Sequence, residues 1–292
     1  MTPPILVNAL TVDVEDYFQV QALADSVPRA AWEDMPRRVE ANTERLLAAF
    51  DRAGVHATFF TLGWVAERHP ALIARIVAGG HELASHGYGH ERVDGMGPDA
   101  FRANVGRTRK LLEDAGGVAV TGYRAPTFSL NARTPWAFAI LAEQGYRYSS
   151  SVYPVKHDLY GTPDAPRFPY RPDAGPLWEL PMTALRVLGR NFPCSGGGWF
   201  RVLPYPVFRL GLSRFNRAEA KAGVFYTHPW EYDPEQPRVR VRSPLSRFRH
   251  YVNLSRTAGR LERLLDDFAW DRMDRVFAAV LGAGAGTGTS HE

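Results

Sequence analysis

Lysine is nearly missing from this chain: Lys110, Lys156 and Lys221 are three among 35 basic residues. Arginine carries the positive charge, and 31 acidic residues bring the net charge down to +4 although the pI is near 9.3. A balance that even gives no broad basic field, so no nucleic-acid partner is expected. Cysteine is scarcer still. Cys194, the single one, can form no internal disulfide and leaves no CxxC pair for a thiolate metal site; it reads as a small buried apolar residue. No apolar run is long enough to cross a bilayer, which predicts no integral membrane segment. Met1-Thr2-Pro3-Pro4 lacks the basic stretch of a secretory signal, and the expected location is cytoplasmic. There is no Gly-x-Ser-x-Gly elbow for a serine hydrolase, and Gly196-Gly197-Gly198 lacks the Lys-Ser/Thr that would make it a phosphate cradle.

What is present is histidine and carboxylate at telling places. Residues 80–90 form a histidine-dense turn in which His86 and His90, four positions apart, can aim ring nitrogens at one point if the backbone coils between them. That is half a metal site. Asp13, Glu15 and Asp16 end the apolar run 5–12, and carboxylates so close repel one another unless a cation or solvent screens them. Taken singly, the histidine pair could be chance and the acidic cluster a solvated strand end or a helix cap.

With 292 residues, 45% of them apolar, the chain can bury a large core. Strands are expected at 5–12, 56–62, 81–85, 118–123, 146–152, 177–182 and 224–227. Helices are expected at 37–53, capped by Gly54, at 64–77 with a break at Pro70, and at 98–115, 131–144 and 205–222. Residues 153–175 and 195–200 read as loops. Strands alternating with helices imply parallel βαβ units, and seven of them favour a closed or nearly closed barrel: an α/β fold, a distorted (β/α)7-type barrel. The acidic cluster, His86, His90, Arg124 and His228 all fall at C-terminal strand ends, where such barrels gather reactive groups. The barrel is assigned to 1–230. Residues 231–281 are expected to form a mostly helical C-terminal extension packed on it, with 282–292 as a disordered tail. Within the extension, residues 238–242 alternate arginine and valine; a solvated edge strand is preferred there, with contact to an anionic substrate the lesser option.

An Asp-rich strand end, Ser85-His86-x-x-x-His90, Arg124-Ala125-Pro126 and an aromatic-x-His at 226–228 stand in that order. Together they resemble the NodB-homology polysaccharide deacetylases of carbohydrate esterase family four. The strings Thr11-Val12-Asp13-Val14-Glu15-Asp16-Tyr17-Phe18 and Phe225-Tyr226-Thr227-His228-Pro229-Trp230-Glu231 are similar to the subfamily found with exopolysaccharide and protein-sorting gene clusters.

The resemblance implies a divalent metal, most often zinc, held by His86, His90 and one carboxylate. Position 14 is valine where the commonest motif has its metal aspartate. Glu15, on the same strand face as Asp13, is therefore the favoured third ligand, with Asp16 as competitor. It further implies Asp13 as general base, Arg124 as the group holding it, and His228 as general acid in hydrolysis of an N-acetyl amide. Gly87 and Thr127 depart from the family's Ser/Thr and Tyr, and Glu179 is a candidate replacement for a supporting acid. Tyr17, Trp199 and Trp230, with Phe18, Phe200 and Tyr232, are placed near the mouth, where they could stack on sugars or simply fill the rim. The expected partner is an N-acetylated amino-sugar polymer or its precursor, with peripheral contact to polysaccharide assembly machinery. The competing readings are an allantoinase-like amidohydrolase and a sugar-binding protein without turnover.

Overall fold

The computed structural model describes residues 6–282 apart from Arg242. Ile5, Arg242 and residues 283–292 of the expected disordered tail lie outside the described residues, while Gly282, the first residue of that expected tail, instead ends a helix (Ala278–Gly282).

The strands are β1 (Val7–Val14), β2 (Thr58–Thr61), β3 (Glu82–Ser85), β4 (Gly122–Tyr123), β5 (Tyr148–Ser149), β6 (Trp178–Glu179), β7 (Ala184–Val187), β8 (Arg190–Pro193), β9 (Val224–Thr227) and β10 (Ala269–Asp271). β1 to β6 pair in sequence order, all parallel, with β9 and β10 also parallel to β1. β1 thus has three neighbours. β10 takes Val7–Ala9 and β2 takes Thr11–Val14, end to end along one edge, while β9 takes Ala9–Val12 on the other. No strand pairing joins β6 to β9 among the described residues. The interval is bridged instead by Thr183, whose hydroxyl accepts from Val224 N (2.6 Å), and by Ser195, whose carbonyl accepts from Tyr226 N (2.7 Å). The result is the expected (β/α)7-type barrel, left open at one seam.

The α-helices among the described residues are α1 (Val39–Ala53), α2 (Gly63–Arg68), α3 (Pro70–Ala78), α4 (Pro98–Gly116), α5 (Trp136–Glu143), α6 (Gly197–Val202), α7 (Tyr205–Glu219), α8 (Pro244–Tyr251), α9 (Leu254–Asp267), α10 (Met273–Val276) and α11 (Ala278–Gly282). Gly54 closes α1 at φ 64°, the left-handed conformation that glycine adopts without a Cβ penalty. Pro70 opens α3 after a non-helical His69, as a ring without an N–H must.

Strand alternation divides the core. Phe59 packs outward against Phe50 of α1 and the ring of His81, whereas Phe60 points inward towards Tyr148. On β1 the same period sends Leu10, Val12 and Val14 to the outer core with Phe59, and Ala9 to the inner cluster with Phe60. Thr11, Asp13 and Glu15 share the parity of Ala9. Each large side chain so buried stabilises the fold by about 1.5–3 kcal/mol.

Four further expectations change. β4, β5 and β6 keep only two residues each of the longer runs expected. The expected loop at 195–200 winds into α6. Residues 238–241 pair with no strand, and Arg238 instead lays its guanidinium over the Tyr251 ring (4.3 Å). The segment after α9 is not wholly helical, since Ala269–Asp271 enters the sheet as β10.

Candidate metal centre and active site

The histidine turn is a loop rather than a helix. Gly63 and Trp64, at the N-terminus of α2, donate their backbone N–H groups to the carbonyls of Gly87 (2.9 Å) and Tyr88 (2.8 Å), while Asn104 Oδ1 accepts from Tyr88 N (3.0 Å). Gly87 lies at φ 71° and His90 at φ 59°. The reversal at these two left-handed positions brings the imidazoles together with ring centroids 5.5 Å apart. Glycine at 87 is thus what this turn requires.

Glu15, His86 and His90 each offer a ligand atom within 4.8 Å of the others'. His86 Nδ1 lies 2.9 Å from the Arg124 carbonyl, an acceptor only, so that nitrogen must carry the proton and donate it. Nε2 is left with a free lone pair. Burial pushes the His86 pKa down to about 4, which keeps the ring neutral as a ligand must be. His90 Nε2 lies 2.9 Å from Glu15 Oε2, yet that oxygen has no aligned hydrogen-bond donor. Burial works against ionising Glu15, but the neighbouring His90, His228 and His86 outweigh it and hold the carboxyl at about 2. A neutral imidazole, a second imidazole in ligand contact and an ionised carboxylate with an unpartnered buried oxygen fit a divalent cation of the zinc type.

Asp13, at the end of β1, is buried beside this group. Its Oδ1 accepts from Arg124 Nη1 (2.7 Å). Arg124 has no exposed surface and is fixed on every side. It donates to Thr11 Oγ1 (2.7 Å), the Ser150 carbonyl (3.0 Å) and Ser150 Oγ (3.1 Å), and its guanidinium stacks over Phe60 (4.0 Å). Glu179 acts at one remove. Its Oε1 accepts from the backbone N–H groups of Ser151 and Val152 (2.8 Å each), which holds the segment that grips Arg124.

His228 closes the site from β9, with Nε2 3.6 Å from Glu15 Oε1 and 3.9 Å from Asp13 Oδ2. Its Nδ1 faces Glu231 Oε1 at 3.5 Å. Glu231, three residues on, accepts from Thr227 Oγ1 (2.6 Å) and from Arg201 Nε of α6 (2.9 Å). Desolvation lowers the His228 pKa, but the carboxylates, Glu231 foremost, overcome it and lift the ring to about 9. Burial opposes Glu231 ionising too, yet Arg201 and His228 hold it at about 2. Trp230 donates its indole N–H to Glu15 Oε1 (3.2 Å) and lies stacked between His228 (5.3 Å) and His250 of α8 (4.4 Å). Arg201 also donates to the His250 carbonyl (2.9 Å), so the segment after 230 buttresses the centre itself.

Asp16 is not brought to the histidines. β1 ends at Val14, the chain turns, and Asp16 Oδ2 accepts from the backbone N–H groups of Arg38 (2.7 Å) and Val39 (3.0 Å) at the start of α1. Tyr17 is likewise withdrawn, fully buried with its ring edge-on to Phe18. Phe18, Phe200 and Tyr232 are buried core residues. Trp199 and Trp230 do line the groove, of about 310 Å³, that also includes Asp13, Glu15, His86, His90, Phe128, Tyr160 and His228. Thr127, at φ 56°, lines it where the family has tyrosine. Sequence reasoning gave no role to Arg201, Glu231 or His250. The i,i+3 spacing of His228 and Glu231 on one turn was the available signal; Arg201 and His250 offered none.

The model of the polysaccharide deacetylase family matches residues 29–149, and that of a domain of unknown function (DUF3473) matches residues 150–278. Over 113 residues the chain is 31% identical to the peptidoglycan deacetylase of Helicobacter pylori, covering 39% of this chain and 38% of that protein. Over 84 residues it is 32% identical to the peptidoglycan-N-acetylglucosamine deacetylase of Bacillus cereus, covering 29% and 30%. The chain thus spans about a third of the length of these curated relatives. A solved structure from Mycobacterium smegmatis that bears the name of a polysaccharide deacetylase superposes with a TM-score of 0.63 at 23% identity, over 100% of this chain and 96% of that one, a likeness of fold.

Proposed function

We propose, from the premise that residues 29–149 belong to the polysaccharide deacetylase family, that this chain is a metal-dependent hydrolase removing N-acetyl groups from the amino sugars of a polysaccharide or its precursor. One juxtaposition carries the reading: a two-histidine, one-carboxylate group beside an arginine-held aspartate, with a third histidine across the groove. The relatives named as peptidoglycan deacetylases support an N-acetylated glycan as the substrate class.

Glu15, His86 and His90 would hold the metal, zinc in our reading, which when bound supplies a Lewis acid for the amide carbonyl and lowers the pKa of water. Asp13 accepts the attacking water's proton at Oδ2, since Oδ1 is occupied by Arg124. Arg124 fixes the carboxylate's orientation. His228 Nε2 gives its proton to the sugar nitrogen as the C–N bond breaks, and Glu231 and Trp230 hold the ring in place. Phe128, Tyr160 and Trp199 present aromatic walls on which sugar faces can stack.

The strings at 11–18 and 225–231, and an extension that shares in the centre, support a role in exopolysaccharide synthesis beside the assembly machinery. The test is acetate release from N-acetylglucosamine oligomers. The reading expects release that a chelator abolishes and added zinc restores; metal binding without release from any acetylated sugar would refute it.

A further inference from the structure

Beside the metal groove lies a second groove, of about 860 Å³, lined by Arg238, Arg240 and Arg247 with Val239, Val241 and Tyr251 among its apolar walls. Phe248, half exposed on α8, lines both grooves and joins them. Among the described residues no carboxylate lines this second groove, and none forms an ion pair with its three arginines. This sets it apart from much of the surface of an arginine-rich chain, where Arg68, Arg75 and Arg102 each meet glutamates.

The groove is held in shape. Arg249 forms a two-pronged ion pair with Asp158 (2.9 and 3.0 Å), tying α8 to the loop at 153–175. Ser243 caps α8 by accepting from Ser246 N (3.2 Å), and Tyr251 OH accepts from Val239 N (2.9 Å). Aromatic and aliphatic walls between guanidinium groups are what a pyranose ring bearing an anionic substituent needs: its face lies on apolar surface and its anion takes paired N–H donors.

We propose that the arginine groove is a substrate subsite for an anionic sugar, carboxylated or phosphorylated, on the same glycan whose N-acetyl group enters the metal groove. The proposal deepens the deacetylase reading and rests on it for the identity of the site. It assigns the extension a task in choosing the substrate: a neutral N-acetylated chain reaches the metal centre alone, whereas an acidic chain gains a second hold past Phe248.

The probes are a hyaluronan hexasaccharide, in which glucuronate alternates with N-acetylglucosamine, and chitohexaose, neutral and of equal length. Binding to the zinc-loaded full chain is measured by calorimetry and turnover by acetate release. Hyaluronan should bind more tightly, and the margin should shrink as salt is raised. Replacing Arg238, Arg240 and Arg247 together by alanine should weaken hyaluronan binding about tenfold, the sum of three modest exposed contacts, and leave chitohexaose turnover unchanged. The double variant Arg240→Gln, Arg247→Gln keeps the Arg238–Tyr251 stack as a guard against misfolding and should lose several-fold. A phosphorylated N-acetylglucosamine oligomer in a third arm distinguishes phosphate from carboxylate as the anion. Equal affinity for the acidic and neutral hexasaccharides, together with no preference for the phosphorylated oligomer, overturns the proposal. So does binding to phosphatidylglycerol vesicles that the arginine variants lose while their glycan affinities stay unchanged. Absence of acetate release from every probe would refute the deacetylase reading, while the binding arms would still decide the subsite.

Discussion

Asp13 and Asp16 are both buried carboxylates, three positions apart, and their surroundings give them different work. Asp13 keeps one oxygen for Arg124 and the other for the groove. Asp16 spends its oxygens on the backbone N–H groups of Tyr17, Arg38 and Val39, and so caps α1 from outside the helix. Asp13→Asn should therefore lower kcat by about 10²–10⁴, the span of a lost general base, with zinc content unchanged. Asp16→Ala should leave zinc content and kcat near wild type and cost about 1–2 kcal/mol in denaturant unfolding, as a lost cap does. Metal analysis and unfolding curves on the two variants check the pair, and zinc loss in Asp16→Ala would contradict it. That His86, His90, Asp13 and Arg124 would meet was legible in the sequence because each lies at, or in the turn just after, the end of a strand the pattern marks. The choice between Glu15 and Asp16 needed the end of β1, which no composition marks. Glu231 hid in plain view because its partner Arg201 is 30 residues away on a helix that read as a glycine loop.

At the scale of elements, what followed from local rules was readable and what depended on distant pairing was not. α1 with its Gly54 stop and the break at Pro70 rest on capping and on proline's missing N–H. Gly54→Ala puts a Cβ at φ 64° and should cost about 1 kcal/mol of stability without touching activity. By contrast β10 is three residues, Ala-Trp-Asp, with no periodicity to announce it; only the open edge of β1 makes it a strand. The β7–β8 hairpin escaped notice too, because its turn is Leu188-Gly189, with φ of 48° and 77°, rather than Asn-Gly. Trp270 is buried in β10 and donates its indole N–H to the Leu264 carbonyl (3.0 Å). Trp270→Ala should cost about 3–5 kcal/mol. A shift of the unfolding midpoint no greater than that of an exposed substitution would mean that β10 is not integral to the sheet.

Across the whole molecule the two ends of the barrel have separate electrostatics. At the end away from the metal centre, Glu82 accepts from Thr58 Oγ1 (2.5 Å), Tyr148 OH (2.8 Å) and Asp274 N (3.2 Å), tying β2, β3, β5 and the segment after β10. Burial above all, with the nearby Asp274 carboxylate, pushes the Glu82 pKa up. A carboxyl raised on folding stabilises fully below its unfolded pKa, and that stability is lost as pH rises through the folded value. Glu82→Gln should flatten this part of the fall in unfolding free energy above the ordinary glutamate range; an unchanged pH slope would contradict it. At the other end, the proposed reading depends on one cation that Glu15, just past β1, and the turn after β3 would hold. The measurement that tests this most directly is the anomalous scattering of zinc in crystals of the full chain. The expected result is one peak about 2.0–2.2 Å from Glu15 and from one nitrogen each of His86 and His90, with Asp13 facing it and Asp16 still on α1. A peak elsewhere, or no peak at saturating zinc, would contradict the account.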